Sequence, residues 1–202
     1  MGDEMSPEDN VMLERREAVA MLLRDRSDLL VVTGLGSPTY DVFAAGDHDG
    51  NFYLWGAMGG AALVALGIAL AQPNRPVAAF TGDGEQLMGL GGLATIAVAG
   101  AKNLSVVVLD NGHFGETGGQ LSHSGLGVDL AAVATAAGFQ VVRTVSTVEE
   151  LETARRLIDD TKSGPCFISV RIKNGEAPRV LPMRDGSAIK NRFRAHLGLS
   201  QN

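Results

Sequence analysis

The chain is almost without cysteine: Cys166 is the only one in 202 residues. A lone thiol excludes an intrachain disulfide framework and a cysteine-ligated iron–sulfur cluster, and it fits a reducing compartment. An excess of positive charge is missing too. Lys plus Arg number 17 against 23 Asp plus Glu, for a formal charge of -6, so the phosphate-neutralising footprint of a nucleic-acid binder is lacking. No apolar stretch reaches the length of a membrane span free of Gly, Pro and charge. The first residues carry Asp3, Glu4, Glu8 and Asp9 where an export leader has positive charge followed by an apolar run. The expectation is a cytoplasmic protein with neither membrane nor nucleic acid as partner. Internal repeats and low-complexity tracts are also absent.

What is present is a hydrophobic content of 45%, enough for one domain with a real core. Ser6-Pro7-Glu8-Asp9 carries the signals of a helix start, and a first helix is expected to run to about Arg26. Continuous apolar runs follow at 29–33, 77–81, 104–109, 139–142 and 166–170, with a shorter one at 52–55. Such runs mark strands buried on both faces. Helical patterns lie between them at about 60–72, 86–99, 129–137 and 147–162. This alternation predicts an α/β fold, doubly wound, with a mostly parallel sheet and helices on both faces. The domain is expected over 1–172, followed by an extended C-terminal arm over 173–202 that ends in a helix near 187–197.

The 26 glycines concentrate between residues 34 and 127, as if backbone must approach a ligand closely there. Three Gly-rich loops end expected strands: Gly34-Leu35-Gly36-Ser37, Gly82-Asp83-Gly84 and Asn111-Gly112-His113-Phe114-Gly115. Parallel α/β sheets bind ligands at these ends, so one site built from all three is the economical reading. By itself Gly82-Asp83-Gly84 is a common turn. However, 26 residues separate Gly84 from Asn111, room for one helix and one strand, which brings an amide oxygen beside the Asp83 carboxylate. Hard oxygen donors of this kind suit Mg²⁺ held together with a diphosphate.

Gly82-Asp83-Gly84 followed by Asn111 at the end of an apolar strand resembles the binding motif of the thiamine-diphosphate (ThDP) enzymes. The resemblance implies metal binding by Asp83, Asn111 and the backbone carbonyl of His113, with Glu85, Phe114 and Gly115 also beside the cofactor. Asp110 stands where that family commonly has a second Asn, and its role is left open. Met58, 25 residues before Asp83, occupies the place of the bulky side chain that bends the cofactor. The alternative is a core methionine. The resemblance further implies that the Gly56 carbonyl and the Met58 N–H contact the aminopyrimidine. Gly34-x-Gly-x-Pro38, Asn51-Phe52-Tyr53, Thr117-Gly118-Gly119-Gln120 and Arg192-Phe193 make the chain similar to sulfopyruvate and phosphonopyruvate decarboxylases, specifically their diphosphate-binding half.

In that family the catalytic Glu at the cofactor's pyrimidine belongs to another domain of similar size, which 202 residues do not also hold. The resemblance therefore implies a pyrimidine-binding (alpha-type) partner subunit and an α₂β₂ or larger assembly. It also implies decarboxylation of a small anionic 2-oxo acid to CO₂ and an aldehyde. Acid–base candidates are His113, Glu116 and His123, with surface or loop roles as the alternatives; Gln120, Arg179 and Arg184 are candidates for substrate contact. Competing readings are a carboligase of the acetolactate-synthase type and a non-catalytic regulatory domain of the same fold. A nicotinamide-binding Rossmann protein is disfavoured, because Thr39 and Tyr40 stand where the third glycine of Gly-x-Gly-x-x-Gly should fall. The β chain of 2-oxoacid:ferredoxin oxidoreductases is disfavoured by the single cysteine.

Overall fold

Every apolar run becomes a strand in the computed structural model, which describes residues 12–175 and 177–199. The strands are β1 (Leu30–Thr33), β2 (Asn51–Tyr53), β3 (Val77–Gly82), β4 (Leu104–Asp110), β5 (His113–Phe114), β6 (Gln120–Leu121), β7 (Val141–Val145) and β8 (Cys166–Arg171). The helices are α1 (Arg15–Leu22), α2 (Ser37–Ala44), α3 (Ala61–Ala71), α4 (Asp83–Met88), α5 (Gly92–Ala99), α6 (Leu130–Ala137), α7 (Val148–Ile158) and α8 (Gly186–His196). Six strands form one sheet in the order β2-β1-β3-β4-β8-β7, and every pairing in it is parallel. β5 and β6 form a separate antiparallel ribbon.

Strand alternation splits the apolar residues into two cores. Leu30, Val32, Val77, Ala79, Val106 and Val108 face α3, α5 and α6. Val31, Ala78, Phe80, Val107, Ile168 and Val170 face α1, α2 and α7. Both faces of the central strands are thus covered, which explains why they read as unbroken apolar runs. α3 buries Ala61, Ala62, Ala65 and Ala69, small side chains that let its backbone lie close to the sheet.

Some expectations need correction. The capping residues Ser6–Asp9 lie outside the described residues. The first helix covers only Arg15–Leu22: Leu13 instead bridges Ile172 in parallel, and the chain turns off after the helix through Asp25, whose φ is +53°. The helix expected over 86–99 is two helices, α4 and α5. It breaks at Gly89, where a Cβ would lie 2.3 Å from the Gly59 carbonyl oxygen. The strand expected at 139–142 begins later, at Val141, because Phe139 turns into the core against Phe167. Ser37, expected in a loop, opens α2.

Residues 173–175 and 177–185 carry no regular structure; the contacts that hold them include the Lys173 N–H to the Leu13 carbonyl at 2.9 Å and the Lys173 ammonium to Glu14 at 3.2 Å. Arg16 Nη2 donates to the Pro178 carbonyl at 2.7 Å, and Trp55 Nε1 to the Met183 carbonyl at 2.9 Å. α8 then packs on the β2 edge, with Phe193 edge-on to Phe52.

Candidate functional site

From β1 the chain moves outward to β2 and returns on the other side as β3. The loops that leave the carboxyl ends of β1 and β3 therefore run in opposite directions and leave a crevice, the usual ligand position in such sheets. A cavity of about 350 Å³ lies there, and its wall includes Ser37, Met58, Asp83, Asn111 and His113. The three Gly-rich loops thus meet, as expected from their positions after buried strands.

Asp83 is the first residue of α4 and is buried. Ser122 donates to its Oδ2, and Ser124 Oγ lies 3.0 Å from the same oxygen. Burial pushes its carboxyl above the usual range; the Ser122 bond opposes this and the nearby Asp110 reinforces it. Asn111 follows β4. Its Oδ1 accepts the His113 N–H at 3.0 Å, and its Nδ2 donates to Asn174 at 3.3 Å. The His113 ring is fixed in turn, with Nδ1 2.7 Å from the Asn111 carbonyl oxygen. A carbonyl only accepts, so Nδ1 carries the proton and Nε2 is the free nitrogen of the neutral ring. Asp110, whose role the motif left open, is buried and structural in its contacts: it accepts from Gly112 N–H at 3.1 Å and Arg171 Nη1 at 2.6 Å, and Ser124 Oγ lies 2.7 Å from its Oδ1.

The glycines mark where side chains crowd the loops. A Cβ on Gly84 would lie 2.7 Å from the Phe114 ring. Gly36, at φ +82°, lies under the Glu116 carboxylate, and Gly34 lies under that of Glu85. Glu85 is buried and accepts the Gly59 N–H at 3.2 Å. Burial pushes its carboxyl up as well, against the lowering effect of that bond.

Of the sequence candidates, Ser37, Met58, Gly82, Asp83, Gly84, Glu85, Asn111, His113, Phe114, Gly115, Glu116 and Gln120 line the cavity. Gly34, Gly36 and Gly56 do not; the first two lie just behind its wall, under Glu85 and Glu116. His123 is also off this wall, its ring edge-on to Phe114 in an adjoining apolar hollow beside Leu87 and Leu90. Arg179 and Arg184 are exposed and outside the cavity. Arg15, Pro38, Met88 and Ile172 line it without having been expected there. No cluster of three or more His, Cys, Asp or Glu suited to a metal occurs among the described residues. The donors available at the cavity are instead a carboxylate, an amide oxygen and backbone carbonyls, a hard set that fits Mg²⁺.

Residues 43–170 match the family described as "Thiamine pyrophosphate enzyme, C-terminal TPP binding domain". The chain is 38% identical over 183 residues to the sulfopyruvate decarboxylase subunit beta of Methanothermobacter thermautotrophicus, across 91% of this chain and 95% of that one. It is 39% identical over 173 residues to the phosphonopyruvate decarboxylase of Streptomyces viridochromogenes, across 83% of this chain but only 42% of that one. In fold it is similar to the thiamine diphosphate-dependent 4-hydroxybenzoylformate decarboxylase of Rhodococcus jostii RHA1. The TM-score is 0.66 at 24% identity, over 88% of this chain and 36% of that one. The chain therefore belongs to the thiamine-pyrophosphate enzymes, as their C-terminal TPP-binding domain.

Proposed function

We propose that this chain is the diphosphate- and Mg²⁺-binding subunit of a two-subunit ThDP-dependent decarboxylase that acts on a small anionic 2-oxo acid and releases CO₂ and an aldehyde. The observation that carries the reading is the convergence of Asp83, Asn111, His113 and Met58 on one cavity at the switch point of the sheet. In this reading the Asp83 carboxylate, the Asn111 side-chain oxygen and the His113 carbonyl hold Mg²⁺, and Ser37 and the N–H groups opening α2 face the diphosphate. Met58 supports the cofactor's bent form. Bound ThDP supplies the nucleophilic carbon and the electron sink for loss of CO₂. Of the acid–base candidates, His113 and Glu116 line the cavity and are assigned the proton transfers in this reading; His123 lines the adjoining hollow.

The pyrimidine-binding partner, with its catalytic Glu, completes the site. Two observations support this part. The Methanothermobacter relative is named as a subunit and is matched over nearly its whole length. In addition, α3 and α5 leave Leu63, Leu70 and Val98 exposed, apolar surface of the kind a partner covers. A cytoplasmic location fits a chain in which no described helix is long and apolar enough to cross a membrane.

The experiment is co-expression with the partner subunit, then CO₂ release and product analysis over 2-oxo acids with sulfonate, phosphonate and carboxylate tails. ThDP- and Mg²⁺-dependent formation of an aldehyde is expected. Condensation with a second carbonyl compound would replace this reading with a carboligase, and catalytic inertness of the complex would replace it with a regulatory domain.

A further inference from the structure

Three charged side chains meet where α1 crosses α2. Asp41, wholly buried, accepts Arg15 Nε at one carboxylate oxygen and Arg16 Nε at the other, the latter at 3.2 Å. Guanidinium groups stay charged at any pH at which a protein is folded. Two of them share one carboxylate, so the cluster carries one positive charge in excess. Arg16 is the more exposed, at 30% against 12% for Arg15, and it donates to the Pro178 carbonyl. Arg15 lines the cavity that holds Asp83 and Ser37.

The other titratable side chains on that wall are Asp83, Glu85, His113 and Glu116. Among the described residues Arg15 is thus its single permanent cation, and its ion pairs there end at Asp41. A mostly buried positive charge is stabilised by a second anion. The guanidinium is suited to take one, because a carboxylate on Nε leaves the Nη edge of the planar fork for a further oxyanion.

We infer that Arg15 recognises the anionic group of the substrate, whether sulfonate, phosphonate or carboxylate, and that Asp41 is the positioning residue that fixes its guanidinium. This rests on the reading of the cavity as a 2-oxo acid site. The cofactor's diphosphate offers the same oxyanion chemistry, so the test has an arm for each source.

Phosphonoacetate and sulfoacetate serve as probes, titrated calorimetrically into the complex of the chain with its partner subunit, loaded with Mg²⁺·ThDP, with the chain as wild type, Arg15→Gln and Arg15→Lys. Mg²⁺·ThDP affinity, KM and kcat are measured on the same complexes. Arg15→Gln is expected to raise the probe Kd and the substrate KM by about tenfold or more, from loss of charge-assisted hydrogen bonds. Its kcat should fall less than its KM rises, and its Mg²⁺·ThDP affinity should stay within about twofold of wild type. Arg15→Lys, which keeps the charge but loses the fork, should fall between. If Arg15→Gln does not fold, Arg15→Lys decides alone: probe affinity equal to wild type overturns the inference. So does failure of the wild type to bind either probe, or a loss of Mg²⁺·ThDP affinity that matches the loss of probe affinity, which would assign Arg15 to the diphosphate. If the wild-type complex releases no CO₂ from any 2-oxo acid, the proposed function fails, while the probe titrations still decide on Arg15.

Discussion

Asp83 and Asp110, two buried carboxylates at the ends of neighbouring strands, are joined through one hydroxyl: Ser124 Oγ lies 3.0 Å from Asp83 Oδ2 and 2.7 Å from Asp110 Oδ1. One hydroxyl proton satisfies only one of them. Arg171 balances Asp110, and Ser122 gives Asp83 a second donor. The ionised form of Asp83 therefore depends on two serines, of which Ser122 has the larger effect on its carboxyl. A metal competes with the proton for that carboxylate. Ser122→Ala is expected to weaken Mg²⁺·ThDP binding by about 1 kcal/mol, about fivefold in Kd, and Ser124→Ala by less. Calorimetry on the two variants checks the order.

Glu85 makes the stability of the cofactor-free protein sensitive to pH. Its folded carboxyl is raised above the unfolded value, chiefly by burial. A raised carboxyl contributes stability that is fully present below the unfolded pKa and is lost as pH rises through the folded pKa. Glu85→Gln removes this loss. The cofactor-free variant is expected to melt above wild type at pH 7 to 8, with the gap closing as pH falls toward about 4. Melting curves across that range read it directly; a gap independent of pH would mean that the carboxyl of Glu85 is not the cause.

Gly89 and Gly59 tie α4 to the loop that carries Met58. A Cβ at residue 89 would lie 2.3 Å from the Gly59 carbonyl oxygen, a backbone atom that does not swing aside. Gly89→Ala should destabilise the chain by about 1 to 3 kcal/mol and weaken ThDP binding through displacement of Met58. Denaturant unfolding and cofactor titration on one preparation measure both effects.

Met58 is half-buried and lines the cavity. As a core filler its truncation to Ala would cost about 2 to 5 kcal/mol and leave ThDP affinity alone. As a support for the cofactor it should show the reverse: a stability change under about 2 kcal/mol, with clearly weaker binding and slower turnover.

The sheet and the three loops that meet at the cavity were legible because they obey local rules. Central strands covered on both faces read as unbroken apolar runs, and in the loops Gly34, Gly36, Gly84 and Gly112 fall where backbone or a side chain crowds the chain. α2 was not legible, because its buried face includes Thr39 and Asp41 in place of an apolar stripe. What makes Asp41 tolerable there is a pair of arginines 25 and 26 residues away, so Arg15 was missed for the same reason. Ser122 and Ser124 reach Asp83 across 39 and 41 residues, a relationship that only the fold creates. The break between α4 and α5 was read through as helix, although Gly89, Gly91 and Gly92 cluster there and disfavour a helix interior; the close approach of Gly89 to Gly59 is a relationship that only the fold creates. His123 was expected near the chemistry from its loop; it is exposed, with its ring edge-on to Phe114 in the hollow that adjoins the cavity.

The central claim, that Asp83 anchors Mg²⁺·ThDP in this cavity, is tested most directly by titrating Mg²⁺·ThDP into the wild-type chain and into Asp83→Ala with its partner subunit present. The account predicts binding by the wild type that disappears when Mg²⁺ is chelated, and none by a folded Asp83→Ala. Wild-type affinity in Asp83→Ala would contradict it.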